Sequence, residues 1–438
     1  MGGARTPPTV LTKLQRVAEQ AREAPQMQFR SLAHLMDVEF LKAAFHKLKR
    51  GSSVGVDGVT WARYAREIDP KLESLHDRLR TQRYRAQPVR RGWIPKEDGK
   101  KRPIGVPALE DKIVQRATAM LLEVVYEPIF HDFSYGFRRG RRPHDALTEL
   151  RNQALETRTT WIIDADISSF FDSIDWKQLV DVIKQRVVDG GIIRLIGKWL
   201  NAGVLEEGKL AFPSEGTPQG GVISPMLANI FLHTVLDDWF VTEVKPRMHG
   251  RCYLIRYADD FVVGFEKEQD ARRVMEVLPK RFERFGLTIH PEKTRLVRFH
   301  RPRGNDPDDT GPGTFDFLGF THYWGRTRDG GSTIKPCTRR KRLSRALSAI
   351  WAWCKEHRHQ PLKWQHRMLT AKLRGHYQYY GVRCNYKALH AVYRQALRAW
   401  KTWLGRRGGT TYLSWPLFRD KYLRLFPLPR PRIVHTGG

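Results

Sequence analysis

Acidic residues are scarce in this sequence. Its 438 residues carry 46 Asp and Glu against 77 Lys and Arg, a formal net charge of +31. A surplus that large repels itself and calls for a polyanion, with nucleic acid the first candidate and a membrane surface the second. Cysteine is also sparse. Cys252, Cys337, Cys354 and Cys384 lie far apart, with no C-x-x-C pair. That argues against a disulfide framework or a zinc module and fits a reducing cytoplasm. No run approaches the roughly 18 to 20 apolar residues that a membrane span needs, so no membrane partner is expected. The opening "MGGARTPPTVLTKLQ" has no apolar stretch of the kind a secretory signal requires. Internal repeats and low-complexity tracts are missing as well. What is present is enough apolar material, 41% of residues, for a folded protein.

The charge is unevenly spread. From Leu318 onward there are 26 Lys and Arg against three acids, Asp329, Glu356 and Asp420. Ordinary solvated faces mix both signs, so this end is expected to meet the polyanion. Patterning divides the chain. Residues 1 to about 30 read as loosely structured, with a short helix near "LTKLQRVAEQAREA". Met36 to Leu48 and 108–128 read as helices, and 90–107 as a β-hairpin turning at Asp98-Gly99. "SPMLANIFLHTVLDDWF" (224–240) is a predicted helix with Ser224 as N-cap and Pro225 in its first position. From Arg339 the pattern is helical only. Leu389, Val392, Tyr393, Ala396, Leu397, Trp400 and Trp403 form one apolar stripe, with Arg394, Arg398 and Lys401 largely off it.

Against this basic background two acids sit side by side. "RYADD" (256–260) joins the apolar runs "YLI" and "FVVGF", which alternate as half-buried strands. An Asp-rich hairpin turn is common enough. A second apolar strand bearing acids, "WIIDADISSFFD" (161–172), makes that reading inadequate. Asp164 and Asp166 alternate and so share a face. Carboxylates converging at the ends of core strands are costly unless divalent cations neutralise them. Metal-held carboxylates in a basic chain point to nucleotidyl transfer on nucleic acid.

The motifs now have a resemblance. Tyr257-Ala258-Asp259-Asp260 resembles the catalytic hairpin of reverse transcriptases, and "DADISSFFDSID" the first catalytic motif of their palm. "GTPQGGVISPMLANIFL" (216–232), "GLTIHPEKT" (286–294) and "FDFLGF" (315–320) match further motifs in order. "GVDGVT", "IPKEDGKKRPIGVPALEDKIVQRA" and "FSYGFRRGRRPHDAL" resemble fingers motifs of bacterial group II intron reverse transcriptases. "LRGHYQYYGVRCNYKALHAVYRQALRAWKTWL" resembles their maturase (thumb) domain. The resemblance covers roughly residues 40 to 433. It implies an α+β right-hand polymerase, with an antiparallel palm sheet and an all-helical thumb/maturase domain. The implied division is an N-terminal extension at 1–35, fingers and palm at 36–325, and thumb at 335–433. Ser168 stands where the lineage often has Lys, and Arg139 where Pro is usual. No HNH nuclease with paired cysteines is recognisable, so the resemblance is to the form lacking that endonuclease.

The resemblance also implies roles. Asp166, Asp259 and Asp260, with the backbone carbonyl of Ile167, would hold two Mg2+ ions, with Mn2+ as a substitute. Asp164 is the less favoured ligand. Lys96 and Arg102 would clamp the triphosphate, Gln219 would meet the nucleotide and template base, and Phe171 would be the steric gate favouring deoxynucleotides. Lys293 would be the general acid for pyrophosphate. The run Arg339, Arg340, Lys341 and Arg342 is expected to contact nucleic acid. Trp400 and Trp403, on the stripe, are expected in the core. The implied reaction is RNA-directed DNA synthesis from dNTPs on an RNA template with a DNA primer. The implied partners are a group II intron or other structured RNA and a DNA target. Two alternatives stay open: a related reverse transcriptase domesticated for phage defence, CRISPR spacer acquisition or DNA repair, and a non-catalytic RNA-binding splicing cofactor.

Overall fold

The computed structural model describes residues 6–95, 101–206, 209–211, 220–302, 313–327, 329–408 and 412–436. The predicted hairpin turn at Asp98-Gly99 falls outside them. Eleven strands are described, β1 to β11 in chain order. They are Val89–Pro95, Lys101–Val106, Trp161–Ala165, Val204–Glu206, Lys209–Ala211, Cys252–Tyr257, Asp260–Phe265, Arg295–Arg298, Phe315–Phe317, Phe320–Arg326 and Ser332–Thr338.

They form three sheets. The central one has the order β6-β7-β3-β8, and every neighbouring pair in it is antiparallel. β6 is buried from Cys252 to Arg256 and β7 from Phe261 to Phe265, because both faces of this hairpin are covered. The helix Leu109–Tyr126 and the helix Ser224–Leu232 supply much of the main core around it. A second sheet, β2-β1-β4-β5, carries the 90–107 hairpin, with β1 running parallel to β4. The third, β11-β10-β9, leads into the helical end.

That end is a bundle of Arg340–Glu356, Leu362–Tyr380 and Tyr386–Gly405. The apolar stripe of the last helix packs inward, with Trp400 1% and Trp403 9% exposed. Lys401 departs from the sequence expectation, being buried to 9% exposure with its ammonium over the Tyr412 and Trp415 rings. Trp400 donates from Nε1 to Gln365 Oε1 at 3.0 Å, and Gln365 Nε2 donates to the carbonyls of His357, Arg358 and Gln360. A buried amide thus satisfies the carbonyls of the turn that follows the preceding helix, which apolar side chains cannot do. Asn385 ties the bundle to β11, accepting from the Thr338 amide at 2.9 Å and donating to Thr338 Oγ1 at 2.8 Å.

Two sequence expectations are corrected. Ser224 is the first helical residue, with Ile223 at the cap position, because Pro225 already lies within the first turn. Residues 8–23 form a 16-residue helix, and Val10, Val17 and Ala21 sink into the main core. The fastening was invisible locally because it comes from far along the chain. Arg186, 4% exposed, donates to the carbonyls of Ala21, Pro25 and Val125. Phe29 and Val187 form a bridge beside it. Among the described residues no carboxylate accompanies this guanidinium; carbonyl dipoles satisfy it. Replacing it leaves buried acceptors unpaired, at roughly 1–3 kcal/mol for such a group. Arg186→Met should therefore lower the thermal midpoint by several degrees and expose residues 8–23 to protease; an unchanged midpoint would mean the clamp is idle.

Candidate active site

The register of the central sheet assembles the acids. In the β3–β7 pair Ala165 lies opposite Phe261, so one step beyond the last pair Asp166 meets Asp260. In the β6–β7 hairpin Tyr257 pairs with Asp260, leaving Ala258 and Asp259 as a two-residue turn. Ala258 has φ 58°, a left-handed conformation that such turns usually give to glycine. The strained first position swings Asp259 to the strand ends where Asp166 stands.

The electrostatics follow from that crowding. Burial, then the neighbouring charge of Asp259, pushes the Asp260 carboxyl up to about 7, with Asp164 and Asp166 adding to the rise. Asp259 is raised too, by burial first and by Asp166, against a lowering from Arg102. Asp260 Oδ2 accepts one weak bond, from the Leu318 amide at 3.4 Å. Asp164 has a different environment. It is ion-paired to Arg295 at 2.8 Å, and its raised pKa comes mainly from burial. So Asp164 and Asp166 share a face, but Asp164 already has its counter-charge.

The segment after the helix Glu268–Glu283 completes the acidic end. Its backbone is laced to the chain leaving β3: Ser168 donates to the Thr288 carbonyl and His290 to the Asp166 carbonyl, each at 2.8 Å, with an Ile167–Ile289 bridge between. The turn that follows delivers Lys293, whose Nζ lies 2.6 Å from Asp166 Oδ2. Phe171 sits on the short helix Phe170–Ser173, half-buried, edge-on to the fully packed Phe170 at 5.2 Å. Arg102 comes from β2 and reaches Asp259 electrostatically. Lys96 and Gln219 lie outside the described residues. Beside Gln219, Gly220 has φ 114°, and a Cβ there would fall 2.6 Å from the Gly105 carbonyl of β2, so this segment passes directly under the hairpin.

The four basic residues are dispersed. Arg339 pairs with Asp316 at 2.9 Å before the helix begins. Arg340 and Lys341 face solvent, and Arg342 is half-buried. The structure thus brings Asp166, Asp259, Asp260, Ile167, Lys293 and Arg102 together around one sheet end, with Phe171 just beyond. Arg339 to Lys341 lie on the adjoining helix start.

Sequence reasoning passed over the residue that braces this arrangement. Arg256, within "RYADD", is wholly buried. Its guanidinium is bidentate to the equally buried Asp237, with Nε 2.7 Å from Oδ1, and Nη1 donates to Asn229 Oδ1 and to the Ala258 carbonyl, both at 3.1 Å. Its backbone pairs with Phe133 and Tyr135. Asn229 in turn donates to the Gly136 carbonyl at 2.6 Å. A Cβ on Gly136 would stand 2.1 Å from the Ala258 amide, so only glycine lets this loop lie against the turn. The signal was present: a charge inside an apolar strand needs a partner. The partner, 19 residues earlier, could not be named from spacing. Tyr379 was missed likewise. Its hydroxyl donates to the Leu318 carbonyl at 2.9 Å, on the turn whose amide reaches Asp260.

Comparison with known proteins agrees with the geometry. The family model for reverse transcriptase (RNA-dependent DNA polymerase) matches residues 94–322. Protein YkfC of Escherichia coli is 38% identical over 388 residues, covering 78% of this chain and 96% of that protein. Group II intron-encoded protein LtrA of Lactococcus lactis subsp. cremoris is 35% identical over 236 residues, 53% of this chain and 39% of that protein. Nuclear intron maturase 4, mitochondrial, of Arabidopsis thaliana is 31% identical over 158 residues, 36% of this chain and 20% of that protein. The match thus spans well under half the length of the two intron proteins.

Breaking the Arg256–Asp237 pair from one side strands a buried charge, at about 3–5 kcal/mol, whereas apolar replacement of both can be neutral. Arg256→Met and Asp237→Leu should each destabilise strongly, and the double variant less than the sum in a thermodynamic cycle. Additive losses would show the two do not act as a pair.

Proposed function

The chain belongs to the reverse transcriptase (RNA-dependent DNA polymerase) family, with group II intron-encoded proteins among its relatives, and from that membership we propose that it copies RNA into DNA. The observation that carries the reading is the convergence of Asp166, Asp259 and Asp260 at one sheet end. Two of these carboxyls, Asp259 and Asp260, are pushed up by burial first and then by their acidic neighbours. Oxygen donors that repel one another and are half-buried fit a hard divalent cation. We assign Mg2+ to Asp166, Asp259, Asp260 and the Ile167 carbonyl, with Mn2+ able to replace it. Bound there, the metal would make the primer 3′-hydroxyl a better nucleophile and neutralise the triphosphate of the incoming dNTP.

The chain's own residues supply the rest. Arg102, over Asp259, offers a planar fork to a phosphate. Lys96 and Gln219, outside the described residues, keep the nucleotide roles that the motif resemblance implies. The Phe171 ring, at the rim of the acids, fills the space a ribose 2′-hydroxyl would need. Lys293, now on Asp166, is mobile enough on its stem to follow the leaving pyrophosphate and give it a proton. Asp164, already neutralised by Arg295, stays a structural acid.

The reading extends to partners. The helical end, rich in Lys and Arg, is the face for the template-primer duplex, with Arg340 and Lys341 as exposed phosphate contacts and Arg339 shared with Asp316. Kinship with LtrA and with an intron maturase supports a maturase role on a group II intron RNA, with a DNA target in the same cycle. The proposed domains are 1–35, 36–325 and 335–433, and the setting a bacterial cytoplasm.

Primer extension on an RNA template with dNTPs and Mg2+ tests the assignment. Asp259→Ala should lose about a hundred- to a thousandfold, the scale at which electrostatic stabilisers act, and Asp164→Asn far less. Phe171→Ala should keep activity and admit rNTPs. Full activity in Asp259→Ala would remove the site; an unchanged rNTP preference would remove the gate.

Acid competes with the metal. Asp260 holds its proton in the native state up to about 7. Without metal its contribution to stability is present below the ordinary carboxylate range and lost as pH rises through that value. Mg2+ should then raise the thermal midpoint more at about pH 8 than at about pH 5.5, and Asp260→Asn should flatten this dependence. An equal Mg2+ shift at both pH values would contradict the assigned ligand.

A further inference from the structure

Behind the catalytic hairpin, on the far side of Arg256, lies a second group of ligand-type side chains that nucleotidyl transfer does not use. His131 stands on the loop after the helix Leu109–Tyr126, and His233 and Asp238 on the continuation of the helix Ser224–Leu232. One potential ligand atom from each lies within 4.8 Å of the others, and this is the one such group among the described residues. Asp238 is shared: Oδ1 is 2.8 Å from His131 Nε2, and Oδ2 is 3.3 Å from His233 Nε2.

Several independent features make this a built site. His233 is 4% exposed, and its Nδ1 has no hydrogen bond, the nearest carboxylate oxygen being Asp237 Oδ2 at 3.9 Å. Both rings are held in place. His131 stacks on Phe133 at 5.0 Å, and His233 is edge-on to Phe130 at 5.2 Å. The backbone itself is shaped for the pair. His233 and Asp238 are five residues apart, about 140° around an α-helix. Residues 233–238 are wound instead as a π-helix, whose i to i+5 repeat returns the two side chains to one side.

We propose that His131, His233 and Asp238 form a second divalent-metal site, of the zinc class, distinct from the magnesium site at the strand ends. Two imidazoles and one carboxylate are the donors of a tetrahedral zinc centre, with water as the fourth ligand. Mg2+, which prefers oxygen and octahedral geometry, does not suit them. The expectation of no zinc module rested on cysteine spacing; this site needs no cysteine. Asp237, whose Oδ2 lies 3.9 Å from His233 Nδ1 and which holds Arg256, is the carboxylate nearest to serve as an outer partner of that ring once the metal orients it. The metal would bind the loop carrying His131 to the helix carrying Asp237, and so stiffen the cradle of the catalytic turn.

The test uses the full chain stripped by chelator, with zinc titrated in excess Mg2+ and followed calorimetrically and by the thermal midpoint. The wild type should take up one zinc per chain with a rise in midpoint. The triple variant Asp166→Asn, Asp259→Asn, Asp260→Asn should do the same, which separates this site from the catalytic one. His131→Ala and Asp238→Ala, both at partly exposed positions, should lose about tenfold or more in zinc affinity. Co2+ in place of zinc should give a tetrahedral visible spectrum that His131→Ala abolishes. No uptake by the wild type, uptake lost only in the aspartate variant, or unchanged affinity in both single variants would each overturn the proposal. None of these readouts depends on polymerisation.

Discussion

A fully buried ion pair, Arg256 with Asp237, is the constraint on which the site rests. Charges taken out of water are held only by good geometry, and here every guanidinium nitrogen has an acceptor. Three pieces of chain meet on this one residue: the Asp259–Asp260 turn through Ala258 and the helix bearing Asn229 and Asp237 on its side chain, and the loop of Phe133 to Gly136 on its backbone. The turn is strained at Ala258 and carries repelling acids. Left to local propensity it would relax. The cation behind it supplies the rigidity that the acids in front of it would undo.

Much of this was legible in the sequence, because the chemistry forced unusual residues into unusual places. Asp259 and Asp260 between apolar strands announce themselves. So does Asp166, two residues from Asp164 on a strand face. Strand register then does what motif spacing suggests, bringing Asp166 beside Asp260. Distinguishing Asp164 needed coordinates, since its neutraliser, Arg295, arrives on a different strand. Arg256 was in plain view, but its partner sits on a helix and no periodicity links them. His131 and His233 are 102 positions apart, and only folding sets their rings together.

The N-terminal helix shows the same limit. Its polar composition reads as loose chain, yet a single arginine from residue 186 gathers its last carbonyls and those after it. Local sequence reports the tendency of a segment; the side chain that overrides it can lie anywhere. The helical end is the converse case. There the apolar stripe of 386–404 predicted the buried tryptophans, because a helix pays out its pattern residue by residue. Only Lys401 departed, drawn inward over two aromatic rings that sequence separates from it.

The Tyr379 hydroxyl has a mechanical meaning. It sits at the end of a 19-residue helix, Leu362–Tyr380, about 28 Å long, and grips the turn that touches Asp260. The gripped end is a fulcrum. Any tilt of the bundle about this point would move its far end most and the fulcrum least. What would reach Asp260 is then torque on a single backbone turn, felt by the acid as orientation rather than as displacement.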